Sequence, residues 1–191
     1  MNVAVVIGRT PDDAGAAWTA DLLASLDGCA WPVEVNQTWD FELATIAWAA
    51  RHLDEFVFLP AATVVKDLAV FDLAFGDLAG KSVNLGGVQQ GYRFRMYLGK
   101  YLASSVLELG IPTVTSKAMA VEQELRWGED YAQQEEHAGR FAELGGSFQI
   151  SDATSEGQVE RHGRTNLVVE NQYLRRYQGT WNTSMIRERV T

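Results

Sequence analysis

The stretch Phe41–Asp67, FELATIAWAARHLDEFVFLPAATVVKD, reads as a helix that delivers a buried strand onto a short loop. Ala44, Ile46, Ala47, Ala49, Ala50 and Leu53 make the helix mostly apolar, and Arg51 and His52 stand near its end, where cations suit the carboxyl-terminal dipole. Phe56, Val57, Phe58 and Leu59 form a continuous apolar run, the pattern of a strand covered on both faces. Pro60 ends that run because proline has no N–H to give to a sheet ladder. Helix, buried strand and loop in this order are the grammar of an open α/β sheet, whose ligands bind beyond the carboxyl ends of the strands. Pro60 to Thr63 are therefore expected at the rim of a site.

On the amino-terminal side, Val3 to Ile7 is a β-branched run ending at Gly8, expected as the central strand of a parallel sheet. The loop Gly8-Arg9-Thr10-Pro11-Asp12-Asp13 then enters a helix over 14–26, capped by Asp12 or Asp13. Backbone amides and Arg9 in such a loop suit phosphate. No GxGxxG and no Walker A lysine occurs, so neither a dinucleotide fold nor a P-loop enzyme is supported. Trp31 to Trp39 reads as a second strand near a sheet edge, with Asn36, Gln37 and Thr38 returning to the Arg9 rim.

On the carboxyl-terminal side, residues 68–78 read as a short helix or arm closed by Gly80, and Ser82 to Leu85 as a strand. Gly86 to Gly91 is the most glycine-rich loop. Tyr92-Arg93-Phe94-Arg95-Met96-Tyr97-Leu98-Gly99-Lys100-Tyr101 carries three cations among aromatics and no acid, a pattern suited to anion binding with ring stacking or to a plain amphipathic face. A helix ending at Gly110, a strand over 113–115 and a helix over 117–127 follow. Residues 129–136 read as a solvated acidic segment, and 151–157 as a connection.

The 191 residues, 47% hydrophobic with 4 prolines, are long enough for one α/β core and short for two, so a single domain over 1–191 is expected. A formal net charge of −9 opposes nucleic acid and acidic membranes unless a local basic patch intervenes. Cys29 stands alone, which excludes an intrachain disulfide and a cysteine zinc site and suits a reducing cytosol. MNVAVVIGRT is too short an apolar run for a signal sequence, and no stretch reaches the length of a membrane span. A cytoplasmic chain without a membrane partner is the expectation.

Two segments carry a family resemblance. EFVFL resembles the strand of GT-A-type nucleotide-sugar glycosyltransferases that precedes an acidic, DxD-like metal motif. Here Ala61 and Ala62 stand in place of the acids, and alanine offers no oxygen to a hard cation. Residues 163–181 resemble the closing segment of small bacteriophage glycosyltransferase-like proteins, in which a VxEN strand precedes a basic, aromatic stretch ending in GTW. With MYLGKY, these motifs span most of the chain in order. The resemblance implies a GT-A-like three-layer fold with a mostly parallel central sheet. It also implies transfer of a sugar from a nucleotide donor, UDP-linked by preference, to an acceptor hydroxyl. The leading acceptor is a hydroxymethylpyrimidine in phage DNA, and the alternatives are a protein, a small molecule, or an inactive relative that only binds nucleotide sugar or a partner.

Such a transferase stabilises its departing nucleoside diphosphate with a divalent metal or with fixed cations and amides. The resemblance leaves manganese or magnesium open as a cofactor despite the absent acids; no residue here is assigned to a metal, and His137 and His162 could coordinate one, although isolated histidines in polar loops are more often simply exposed. Donor binding is assigned to Gly8, Arg9, Thr10, Ala61, Ala62, Arg93 and Lys100. Glu170 is the candidate base, because partial burial at the end of an apolar strand would raise its pKa; pairing with Arg175 is its bland alternative. Tyr92, Arg95, Asn171 and Arg175 are assigned to the acceptor.

Overall fold

A computed structural model describes residues 1–8, 13–35, 42–85, 99–109 and 154–178. The elements are β1 (Val3–Gly8), α1 (Asp13–Ser25), β2 (Val33–Val35), α2 (Glu42–His52), β3 (Glu55–Pro60), β4 (Thr63–Val65) and α3 (Ala69–Asp72), which runs into a π-helical turn, Leu73–Asp77. After these come β5 (Val83–Asn84), β6 (Gly99–Leu102), α4 (Ala103–Glu108), β7 (Thr154–Arg161), β8 (Arg164–Glu170) and β9 (Leu174–Gln178).

The main sheet has five strands in the order β2-β1-β3-β6-β5. β1 pairs in parallel with both β2 and β3, whereas β6 runs antiparallel to β3 and to β5. The architecture is thus mixed α/β with a mostly parallel sheet. β1 is internal, as its unbroken apolar run predicts, and β2 is an outer strand. β1 and β3 are buried on both faces. Ala4, Val6, Phe56, Phe58 and Tyr101 pack under α2 and α4 through Ile46, Ala49, Ala50, Leu53 and Val106. Val5, Ile7, Val57, Leu59 and Val83 pack on the other side against Leu22 of α1, Leu26 just after it, and Phe71 and Phe75. Two helical layers around one sheet follow directly from strands with no polar face.

A second, antiparallel sheet, in the order β4-β9-β8-β7, was not expected from the sequence. β3 does not end in an open rim loop: Ala61 and Ala62 form a turn that leads into β4. The expected connection over 151–157 is corrected for its described part, since Thr154 to Gly157 belong to β7. The second sheet reaches α1, where the Val65 amide donates to Ser25 Oγ at 3.0 Å. It also reaches the core on the α1 side of the main sheet through Val65 and Leu174. Among the described residues no helix is long and apolar enough to cross a membrane.

Candidate functional site

In the main sheet Gly8 is paired with Pro60, so β1 and β3 end side by side. The chain leaves Gly8 toward α1, and leaves Pro60 through Ala61 and Ala62 toward β4. This is the carboxyl edge at which an open parallel sheet places its ligands. Gly8 has a packing reason for being glycine: a Cβ there would stand 2.7 Å from Cζ of Phe58. Ala61 is 1% exposed and packs with Trp18, Val168 and Tyr177, while the Ala62 carbonyl accepts the Tyr177 amide at 2.8 Å. The described residues of this turn do not fit a divalent cation, because they offer no side-chain oxygen. Nor do the described residues gather three or more His, Cys, Asp or Glu into a metal-holding group elsewhere.

Lys100 does not belong to this rim. It pairs across the sheet with Val57, and its ammonium turns toward the start of β3, the opposite end from Gly8. Nζ lies 2.5 Å from Oε2 of Glu55 and donates to the Lys81 carbonyl at 2.8 Å and the Leu78 carbonyl at 3.1 Å. The side chain is 0% exposed, so its expected contact with donor phosphates is withdrawn.

Glu170 departs from expectation in the direction of its pKa. It pairs with Arg175 Nε and lies 3.4 Å from Lys66 Nζ. The hydrogen bond from the Arg175 guanidinium holds its carboxyl below the ordinary value, outweighing the opposing effect of burial. The local reason is the β8–β9 register, which sets Glu170 directly opposite Arg175. A carboxylate tied in this way is a poor proton acceptor, and the role of base is withdrawn. The sign for stability follows. Because the folded pKa is depressed, the pair's contribution is present above the ordinary value of 4.5 and is lost as pH falls through the lower, folded value. Glu170→Gln is therefore expected to destabilise the protein near neutral pH, and the gap from wild type should narrow below 4.5 in denaturant titrations.

Asn171 is committed to the β8–β9 connection. Its Oδ1 accepts the amides of Tyr173 at 2.9 Å and Leu174 at 2.8 Å, and its Nδ2 donates to the Leu85 carbonyl at 2.9 Å. Both ends of the amide are thus used internally, which corrects its assignment to the acceptor. Arg175 keeps 41% of its side chain exposed, but its charge is balanced by Glu170, which raises its own pKa. Arg9, Thr10, Tyr92, Arg93 and Arg95 lie outside the described residues, as do Asn36 to Thr38, the loop 86–91, His137 and the elements expected over 110–127.

Beside the Ala61 turn stands a cluster that the sequence reading missed. Trp18 of α1 lies 4.7 Å from the Tyr177 ring and meets the His162 ring edge-on at 4.5 Å. Asp21, one helical turn beyond Trp18, accepts at a single oxygen, Oδ2, from Arg161 Nη2 at 2.7 Å and His162 Nε2 at 2.6 Å. Arg161 Nη1 donates to Tyr177 Oη at 2.8 Å, and the guanidinium lies over both aromatic rings.

Comparison of the chain with protein-family models, curated proteins and solved structures found no match.

A signal for the cluster did exist in the sequence. Arg161-His162-Gly163-Arg164 joins two strand-like runs by two residues, the spacing of a hairpin turn. Both central residues take positive φ, 51° at His162 and 72° at Gly163. Asparagine is the usual first residue of such a turn, and histidine is among the few other side chains enriched at positive φ, so the turn accommodates His162.

Proposed function

We propose that this protein is a nucleotide-sugar-dependent glycosyltransferase of GT-A-like, single-domain architecture that acts in the cytoplasm, the host's if the chain is phage-encoded. The observation that carries the reading is the side-by-side ending of β1 and β3 at Gly8 and Pro60, with both exits at one sheet edge. The ordered resemblance of EFVFL, MYLGKY and the VxEN segment supports it. With alanines at the turn, the charge of a departing diphosphate falls to cations and amides, and Arg9 and Arg93 remain the candidates. The leading acceptor is a hydroxymethylpyrimidine in DNA, for which Tyr92 and Arg95 supply stacking and charge; extrusion of the base would bring its hydroxyl to the site.

A second reading has specific support. Ala61 is buried, and Glu170 and Lys100 are bound into internal ion pairs, an arrangement that suits an inactive relative retaining only nucleotide-sugar or partner binding.

Thermal unfolding with UDP-sugars, with and without manganese, tests the donor site. Saturation at a hundredfold excess over Kd is expected to add about 2.7 kcal/mol, visible as a raised Tm. No shift with any nucleotide sugar overturns both readings. Release of nucleoside diphosphate with hydroxymethylated DNA separates the enzyme from the inactive relative.

A further inference from the structure

We infer that His162 is the proton acceptor of the transfer step, held by Asp21 as the Nε2–H tautomer so that Nδ1 is the basic nitrogen. The inference rests on the transferase reading and supplies the base that Glu170 does not provide.

Geometry puts a proton on Nε2. An ionised carboxylate only accepts hydrogen bonds, so the imidazole nitrogen 2.6 Å from Asp21 Oδ2 must carry a proton. Arg161 donates to the same oxygen. In the neutral ring Nδ1 holds the lone pair, and among the described residues it has no hydrogen-bond partner. The ring is 24% exposed, open enough to meet a substrate and fixed on one edge by Trp18. The groups facing it are Asp21 and Trp18 from α1, Arg161 from β7 and, through Arg161, Tyr177 from β9.

Three features mark this as a working site as well as a hairpin dock. A carboxylate that orients one nitrogen of an imidazole while the other faces substrate is the arrangement of acid–base dyads. Imidazole is the side chain whose ordinary titration lies nearest neutral pH, as a base for hydroxyl activation requires. The third is the hairpin, whose left-handed backbone at His162, a conformation histidine tolerates, holds the ring at the Asp21 carboxylate. Position agrees as well. Trp18, against which the ring rests, shares one packed cluster with Ala61, so the dyad flanks the turn by which β3 leaves the sheet.

In the step, the acceptor hydroxyl gives its proton to Nδ1 while its oxygen bonds to the anomeric carbon of the sugar. The bond from that carbon to the diphosphate oxygen breaks, and its electron pair leaves with the nucleoside diphosphate. The imidazolium shares the Asp21 carboxylate with Arg161 until the proton passes to water. Asp21 acts here as a positioning residue.

The test uses the full chain and two variants. His162→Asn suits the left-handed turn and has no basic nitrogen, but its shorter amide does not reach Asp21 as Nε2 does, so a modest fall in Tm is expected with the protein still folded. Assayed below that Tm, kcat for nucleoside diphosphate release is expected to fall about 10²- to 10⁴-fold. KM for the donor should stay unchanged, and the acid limb of the kcat–pH profile should disappear. Asp21→Asn is expected to shift that limb and lower kcat less. Through-bond ¹H–¹⁵N correlations of the imidazole are expected to show Nε2 protonated and Nδ1 bare near neutral pH. A proton on Nδ1, or full turnover by a folded His162→Asn protein, overturns the inference and leaves the transferase reading standing. No release by wild type with any donor and acceptor overturns the transferase reading, and this role with it.

Discussion

Lys100→Ala is expected to lower the free energy of unfolding by about 3–5 kcal/mol, the cost of leaving one partner of a buried ion pair unmatched. Glu55 would keep its charge in the core with its counter-ion gone, although its Oε1 would still accept the Gly80 amide at 2.7 Å. The carbonyls of Leu78 and Lys81, which now receive Lys100, would also lose their donor. The loss should therefore reach beyond one contact and loosen the turn that follows the π-helical segment. Urea titration of the full chain measures it. Replacing both partners, Lys100→Met with Glu55→Leu, should recover part of the loss because no lone charge remains inside. The same variants test the assignment itself. Were Lys100 a phosphate ligand, Lys100→Ala would weaken nucleotide binding and leave stability nearly intact; a cost below about 1 kcal/mol would place the side chain at the surface.

Ala61→Asp has the second largest expected effect, on the order of 3 kcal/mol of destabilisation, because a carboxylate there is desolvated without a partner. The site is packed by Trp18, Val168 and Tyr177, and it is closed rather than open to a ligand. Restoring an acid at this position is thus expected to harm the fold before it creates a metal site. Manganese should not rescue the Tm of this variant. Ala62→Asp, at a half-buried neighbour, should cost clearly less. If Ala61→Asp folds as stably as wild type and binds manganese tightly, the turn has room for a cation and the packing described here is wrong.

The parts that were legible in the sequence are those whose cause is local. Val3–Ile7 and Phe56–Leu59 announce strands buried on both faces, since an unbroken apolar run has no side to offer to water. The helix between them is marked by its apolar residues and its closing Arg51 and His52. These three segments decide a layered α/β fold before any contact is known. The second sheet was hidden because β4 is short and follows β3 after only two residues, so that FVFLPAATVV reads as one strand and its exit.

Charge was misread where its partner was distant. In sequence, Lys100 belongs to a basic, aromatic run that invites an anion; in the fold it sits opposite Val57, beneath a turn contributed by residues 78–81, with Glu55 at hand. Glu170 and Arg175 are five residues apart and their pairing could be weighed from the sequence, but the direction of the resulting pKa shift depended on burial and hydrogen bonding together. Asp21 and His162 are 141 positions apart, and nothing local connects them. The apolar pattern thus determined which segments form the core, because burial of a run depends on that run alone. Whether a charged side chain braces the core or stays in solvent was decided only by tertiary structure, because the cost of desolvating a charge depends on which group meets it.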